Sequence, residues 1–326
     1  MTAAYSFARS ALADGRSLSA AVPDFLILGA AKCGTTSLHT WLNQHPQVQM
    51  CFPKEPVYFE LDYSRGPEFY LETYFPGWDG RRRIGDGRAA NLYFPWVPGR
   101  IKQSNPDAKL IILVRNPIER CLAHWWAEFR RQHEPLHFEE AVLANLQRLR
   151  SGIQYETEDA FRRADPVYRL PHYNGAERRA EFCRRRREPA YAANFYRNYV
   201  DLGYYAEQIE RYRALFPHEQ MRIFLAEDLR SRPESVLQHV CGHIGVETDP
   251  IRNIECRSQN MQKPMKRSKA IRSWFLLRRR GRSVAYSDVR YRPAIRPEFR
   301  RFLAEHFRPH NLALSKLLKR DLSHWS

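Results

Sequence analysis

The sequence predicts an α/β protein: three layers, a central parallel sheet flanked by helices, and a P-loop-like nucleotide site. Three observations predict it. Phe25–Leu28 and Lys109–Val114 are short continuous apolar runs, the kind that form strands covered on both faces. The first run passes through Gly29 and Gly34 into a segment with Leu38, Trp41 and Leu42 at helical spacing. Met221–Leu225 repeats the strand-then-helix order, with a helix expected near Ser235–Ile244.

The stretch Asp24–Asn43 carries the chemistry. Gly29 and Gly34 bracket a loop that opens on Thr35, Thr36 and Ser37. A helix start offers unbonded N–H groups and the positive end of its dipole to an anion. The hydroxyls add donors and Lys32 adds a full charge. The nucleoside triphosphatase loop places Lys directly after its second Gly. Here Thr35 holds that position and the lysine stands inside the loop as Lys32.

PDFLILGAAKCGTTSLHTWLNQHPQV resembles the 5′-phosphosulfate-binding loop of sulfotransferases that use 3′-phosphoadenosine-5′-phosphosulfate (PAPS), in particular the carbohydrate, heparan-sulfate-like branch. The resemblance runs from Pro23 to Trp325. It implies that Ala31, Lys32, Cys33, Gly34, Thr35, Thr36 and Ser37 bind the co-substrate, which departs as 3′-phosphoadenosine-5′-phosphate (PAP). No metal is expected.

The helix that starts at Thr35 should end at Gln44-His45-Pro46. Two prolines predict that Phe52–Phe59 runs extended across the open end of the sheet. Glu55 stands just ahead of an aromatic pair, and a carboxylate near apolar rings can have a raised pKa suited to proton transfer. In the resemblance, Lys54-Glu55-Pro56 matches K-E-P-H-F-F, whose Glu takes the acceptor's proton. Val57 replaces the His of that pattern. Residues 60–83 read as an aromatic-rich connection. Asp86 and Arg88 stand where the family often has G-E-x-S-P-x-Y, which makes them possible site residues.

After Lys109–Val114 comes Arg115-Asn116-Pro117, with Pro in the first turn of a helix over Ile118–Arg131. Ligand crevices lie beyond the carboxyl ends of such strands, so Arg115 points at the nucleotide. Its fork of donors suits a phosphate. The family motif R-N-P-x-x-R-x-x-S-H implies that Arg115 holds the 3′-phosphate and adds Arg120 and His124 as uncertain site residues, with Ala123 in place of Ser. The same slot would carry a Mg²⁺-binding Asp in a nucleotide kinase, and no other strand-ending Asp is expected. A sulfuryl group carries less negative charge than a phosphoryl group, so Lys and backbone donors can move it without metal.

Phe138–Arg150 reads as a helix, residues 151–190 as a polar, Arg-rich insertion, and Ala193–Phe216 as a long helical region with Tyr205, Ile209, Tyr212 and Leu215 in the core. His239 and His243 read as helix surface rather than zinc ligands. By resemblance, residues 252–292 form a flap over the nucleotide, with Lys263, Lys266, Arg267 and Arg280 as candidates for its 3′-phosphate. Pro297–Trp325 reads as two short amphipathic helices. Residues 1–22 read as a loose N-terminal arm and 23–326 as one domain.

The formal charge is +17, and Ile251–Ser326 alone holds 20 Lys and Arg against 5 Asp and Glu. Such a field draws anions. Six scattered cysteines without a CxxC pair fit a reducing compartment. No apolar run approaches the ~18 residues of a membrane span. These observations and the resemblance imply a cytoplasmic, bacterial sulfotransferase with a small-molecule or glycan acceptor bearing a hydroxyl or amine. The alternatives are a P-loop nucleotide kinase and a basic nucleic-acid-binding protein. No nucleic-acid partner is expected, and acceptor identity and oligomeric state are not readable from the residues.

Overall fold

The computed structural model describes residues 23–78, 80–131, 133–152, 157–160, 197–256, 266–271, 274 and 292–325. The N-terminal arm, most of the 151–190 insertion, Lys263 and Arg280 lie outside the described residues. In chain order the main elements are β1 (Phe25–Gly29), α1 (Thr35–Leu42), β2 (Val48–Met50), α2 (Gly66–Tyr74), β3 (Arg83–Asp86), α3 (Val97–Ser104), β4 (Lys109–Val114), α4 (Pro117–Arg130), α5 (Phe138–Arg150), α6 (Tyr205–Arg213), β5 (Met221–Leu225), α7 (Ala226–Ser231), α8 (Pro233–Ile244) and α9 (Pro297–Leu318). The chain divides into two compact units, Met1–Arg115 with Glu207–Asn260, and Asn116–Ala206 with Met261–Ser326.

The first unit holds a five-stranded sheet of order β2-β3-β1-β4-β5. Every pairing is parallel, and Phe25 lies opposite both Gly85 and Lys109. Every residue of β1 is buried, and so is all of β4 except Lys109, as a sheet flanked by helices requires. Helix α1 packs on β1 and β2, and α8 on β4 and β5. The chain leaves β1 toward one edge and later crosses to β4 on the other side. That reversal opens a crevice at the carboxyl ends of β1 and β4.

Strands β2 and β3 escape the sequence pattern. They have three and four residues, and Gln49, Arg83 and Gly85 interrupt any apolar run. Gly85 is required by close packing: a Cβ there would lie 2.3 Å from Phe25 Cζ and 2.6 Å from Met50 Sδ. The connection expected over residues 60–83 is mostly helical, and Tyr58–Asp62 forms a π-helical turn, so Tyr58 and Phe59 do not continue an extended segment. Tyr58, Phe59 and Tyr70 pack their rings there edge-on and tilted against one another.

The second unit is helical. Asn116 caps α4, its Oδ1 accepting from the amides of Ile118 at 2.9 Å and Glu119 at 3.3 Å. Trp125, Phe129, Phe138, Leu303 and Phe307 belong to one buried cluster. Buried Glu134 accepts both arms of Arg197, at 2.8 and 2.9 Å, and the Tyr199 hydroxyl at 3.0 Å. Helix α9 corrects the expectation of two short helices. It runs unbroken through Pro309, with Leu303, Phe307 and Leu314 buried. Those residues lie on one face, so packing holds both halves in line. The region expected as helix over 193–216 is shorter, with turns and a 3₁₀ segment (Asp201–Gly203) before α6. A Cβ on Gly203 would stand 2.9 Å from Phe307. Tyr205, Ile209 and Tyr212 are buried as expected, whereas Leu215 is 42% exposed.

Candidate active site

The phosphate loop belongs to the first unit. The Ala30 amide donates to the Leu113 carbonyl at 2.6 Å and anchors the loop to β4. The Cys33 amide closes a turn onto the Ala30 carbonyl at 3.2 Å. Lys32 has φ of 70° and Gly34, the N-cap of α1, φ of 100°. These left-handed residues turn the chain sharply into the helix. The Leu38 amide makes its helical bond to the Gly34 carbonyl at 3.1 Å, so the amides of Thr35, Thr36 and Ser37 precede the helical ladder. No acidic side chain occupies that first turn. Ala31, Lys32 and Thr36 are part-buried, and Cys33, Thr35 and Ser37 buried. The arrangement is a cradle for an anion. Gly29 lies so close to the next segment that a Cβ on it would meet the Ala89 carbonyl oxygen at 2.8 Å. Arg115, part-buried, directly follows β4.

Glu55 sits in a charge cluster of the same unit. Lys54 Nζ bonds Glu55 Oε1, Arg88 approaches Glu55 Oε2 at 3.6 Å, and the Ala89 amide donates to Oε2 at 2.9 Å. Arg88 is itself fixed by a fork onto the fully buried Glu60, at 2.5 and 2.6 Å. The Glu55 side chain remains 37% exposed. Desolvation pushes its pKa up, but Lys54, Arg88 and the hydrogen bonds outweigh it, so the carboxyl is held below its ordinary value. This corrects the expectation of a raised pKa: the rings of Tyr58 and Phe59 pack into the core, while the carboxylate meets cations.

Asp86 is the last residue of β3, which overturns the expectation that no other strand ends in Asp. It is 1% exposed and accepts from the Tyr70 hydroxyl at 2.7 Å. Burial pushes its pKa up to about 7, against the lowering effect of the Tyr70 hydrogen bond. Next to it, buried Cys51 accepts from the Gly87 amide at 3.3 Å, and His39 Nε2 lies 3.1 Å from the Cys51 carbonyl. Burial and the charge of Lys54 lower the His39 pKa to about 4.

Lys54, Glu55, Asp86 and Arg88 are thus brought together in the first unit. The phosphate loop and Arg115 belong to the same unit, whereas Arg120, His124, Lys266 and Arg267 fall in the second. Arg120 is fully buried and donates to the Tyr199 carbonyl, and His124 lies edge-on to the Tyr199 ring at 5.0 Å. Lys266 and Arg267 are exposed at the head of a short helical stretch. Sequence reasoning missed Glu60 and His39, and it placed Tyr70 only in the aromatic-rich connection, without its bond to Asp86. His39 carries a signal, standing four residues after Thr35 on the same helix face. Glu60 carries none, since its partner Arg88 is distant in sequence. His243, expected on a helix surface, is part-buried and its ring bonds the Gln220 carbonyl at 3.1 Å.

A parallel sheet whose first strand leads through a glycine-flanked, lysine-bearing turn into a helix defines the P-loop-like class of anion-binding α/β proteins. Within that class, this chain belongs to the sulfotransferase-domain family, whose model matches residues 22–316. It is 25% identical over 264 residues to the membrane-associated sulfotransferase kil1 of Dictyostelium discoideum, covering 67% of this chain and 55% of kil1. It is 27% identical over 308 residues to the bifunctional heparan sulfate N-deacetylase/N-sulfotransferase 4 of Mus musculus, covering 92% of this chain and 30% of that one. The chain therefore spans about half the length of the first relative and under a third of the second. The crystal structure of a sulfotransferase from Alicyclobacillus acidocaldarius matches with a TM-score of 0.62 at 25% identity, covering 94% of this chain and 99% of that one. Among the described residues, no helix is long and apolar enough to cross a membrane.

Proposed function

We propose that the protein moves a sulfuryl group from PAPS to a hydroxyl or amine of a carbohydrate or other small acceptor and releases PAP. The observation that carries this reading is the Lys32 loop at the head of α1, with no acid in the first turn, in a sulfotransferase-domain chain. Thr35, Thr36, Ser37 and the loop amides hold the 5′-phosphate, and Arg115 holds the 3′-phosphate. The acceptor atom attacks sulfur in line as the bond from sulfur to the phosphate oxygen breaks, and that bond's electron pair stays on the phosphate. Lys32 neutralises the charge building on the departing oxygen. Glu55 receives the acceptor's proton. With its pKa held down by Lys54 and Arg88, Glu55 is ionised and ready at neutral pH. The glycan acceptor is supported by the name of the heparan sulfate relative.

The test has two arms. Calorimetric titration with PAP and with ATP–Mg²⁺ separates this reading from a nucleotide kinase: tight PAP binding is expected, and preference for ATP–Mg²⁺ overturns it. Radiolabelled sulfate is then followed from PAPS into a panel of desulfated glycans and small hydroxyl and amine acceptors. No transfer to any member, with PAP bound, removes the transferase reading.

A further inference from the structure

We propose that Asp86 is a positioning residue of the transfer centre: its buried carboxylate, held by Tyr70, strengthens Glu55 as the acceptor of the proton. The proposal rests on the reading of Glu55 given above.

The geometry begins with the end of β3. Asp86 closes the strand, and the three residues after it build the wall against which Glu55 lies. Gly87 donates its amide to Cys51 Sγ at 3.3 Å, Arg88 reaches Glu55 at 3.6 Å, and Ala89 donates its amide to Glu55 at 2.9 Å. Gly87 has no room for a side chain, since a Cβ would meet His39 Cδ2 at 2.5 Å. The strand end is therefore clamped, and Asp86 cannot swing out to solvent without dragging Glu55's partners with it. On its inner side the carboxyl meets Tyr70 of α2 at 2.7 Å.

A buried carboxyl is costly unless it is hydrogen-bonded, and Asp86, held by Tyr70, stands three residues before the amide that holds Glu55. The titratable and charged groups around it come from every neighbouring element: Tyr70 of α2, Cys51 after β2, Glu55 in its loop, Arg88 after β3 and Tyr212 of α6. Burial is the largest influence on Asp86, Glu55 raises its pKa further, and Tyr70, the Arg88 charge and the Arg88 amide lower it, with the balance at about 7. Burial also raises the thiol of Cys51 and the hydroxyls of Tyr70 and Tyr212 well above their ordinary values. Those three stay neutral through the range in which Asp86 titrates. Asp86 is then the group of this set whose charge changes near neutrality, while Glu55 is already ionised. Coupling between two sites is reciprocal. If the Glu55 charge makes Asp86 harder to ionise, an ionised Asp86 makes Glu55 a stronger base. Transfer should therefore rise as Asp86 loses its proton.

Carboxyl carbon-13 NMR on the full chain with PAP bound tests the coupling without turnover. Asp86 should titrate near pH 7. In Glu55→Gln its midpoint should move to lower pH, because a repelling charge is gone. In Tyr70→Phe it should move to higher pH, because a hydrogen bond to the carboxylate is gone. Turnover on a desulfated glycosaminoglycan, or on whichever panel acceptor is sulfated, should rise on the order of threefold between pH 6 and 8. Asp86→Asn should lose that rise while keeping PAP affinity. An Asp86 midpoint that ignores Glu55→Gln overturns the proposal, as does an Asp86→Asn enzyme with the wild-type pH profile. A wild-type chain that binds PAP and transfers no sulfate sinks the transferase reading instead, and the carboxyl titration still reports whether the two groups are coupled.

Discussion

Lys32 adopts φ of 70°, a conformation that a non-glycine residue rarely takes and that turns the loop into the amides of α1. Lys32→Ala should cut turnover about 10²- to 10³-fold, the usual cost of removing one preorganised donor from a centre of developing charge. Steady-state kinetics check this, and an unchanged rate removes the role. Glu55→Gln should abolish transfer and leave PAP binding intact by calorimetry; loss of both makes Glu55 structural. Its lowered pKa has a definite sign. The carboxylate stays ionised below its ordinary value of 4.5, so Glu55 should impose its loss of rate only under more acid conditions. The loop was legible from residues because its signal is local: Gly29, Lys32, Gly34 and three hydroxyl residues lie within nine positions of one another. The environment of Glu55 was only half legible. Lys54 is adjacent in the chain, but Arg88 arrives through the pairing of β2 with β3, and no periodicity marked either strand.

Among the elements, glycine contacts show where the fold tolerates nothing larger. Gly34→Val would combine φ of 100° with a Cβ 2.7 Å from Leu229 Cδ2 of α7. It should weaken PAP binding by roughly 1–3 kcal/mol as the head of α1 shifts. Equilibrium titration reads this, and wild-type affinity would mean that the loop does not hold the nucleotide. In the second unit, Trp125→Ala removes a fully buried ring stacked on Phe129 at 4.8 Å. Its cost should be about 3–5 kcal/mol in denaturant unfolding. The long apolar strands β1 and β4, and the amphipathic helices α4 and α5, were visible because each buries a continuous run or face. Helix α9 was misread as two because Pro309 usually ends a helix, and only the packing of Leu303, Phe307 and Leu314 shows why it does not.

At the scale of the whole molecule, charge and protonation set the behaviour. With a formal charge of +17, PAP affinity should fall several-fold between low and high salt as its phosphates are screened. Stability should depend on pH in two opposed ways. His39 and His243 are kept neutral, with values lowered from 6.5 to about 4, so both cost stability as pH falls through that window. Asp86 moves the other way. Its folded value lies above its unfolded one, so the folded state binds the extra proton, and stability falls as pH rises from 3.8 to about 7. Asp86→Asn should therefore gain urea stability relative to wild type at pH 8 compared with pH 5, and an equal difference at both pH values would remove this linkage. The division into two units was not legible, since the chain crosses between them at Arg115–Asn116, where a strand passes into a helix cap, and again at Ala206–Glu207 inside α6. Ala89 ties these scales together. Its N–H holds Glu55 and its carbonyl oxygen lies against Gly29, so one residue is a gauge block between the phosphate loop and the Glu55 carboxylate. A machinist would call it the jig: thicken it at Gly29 and the two working faces lose their set distance, however sound each remains alone.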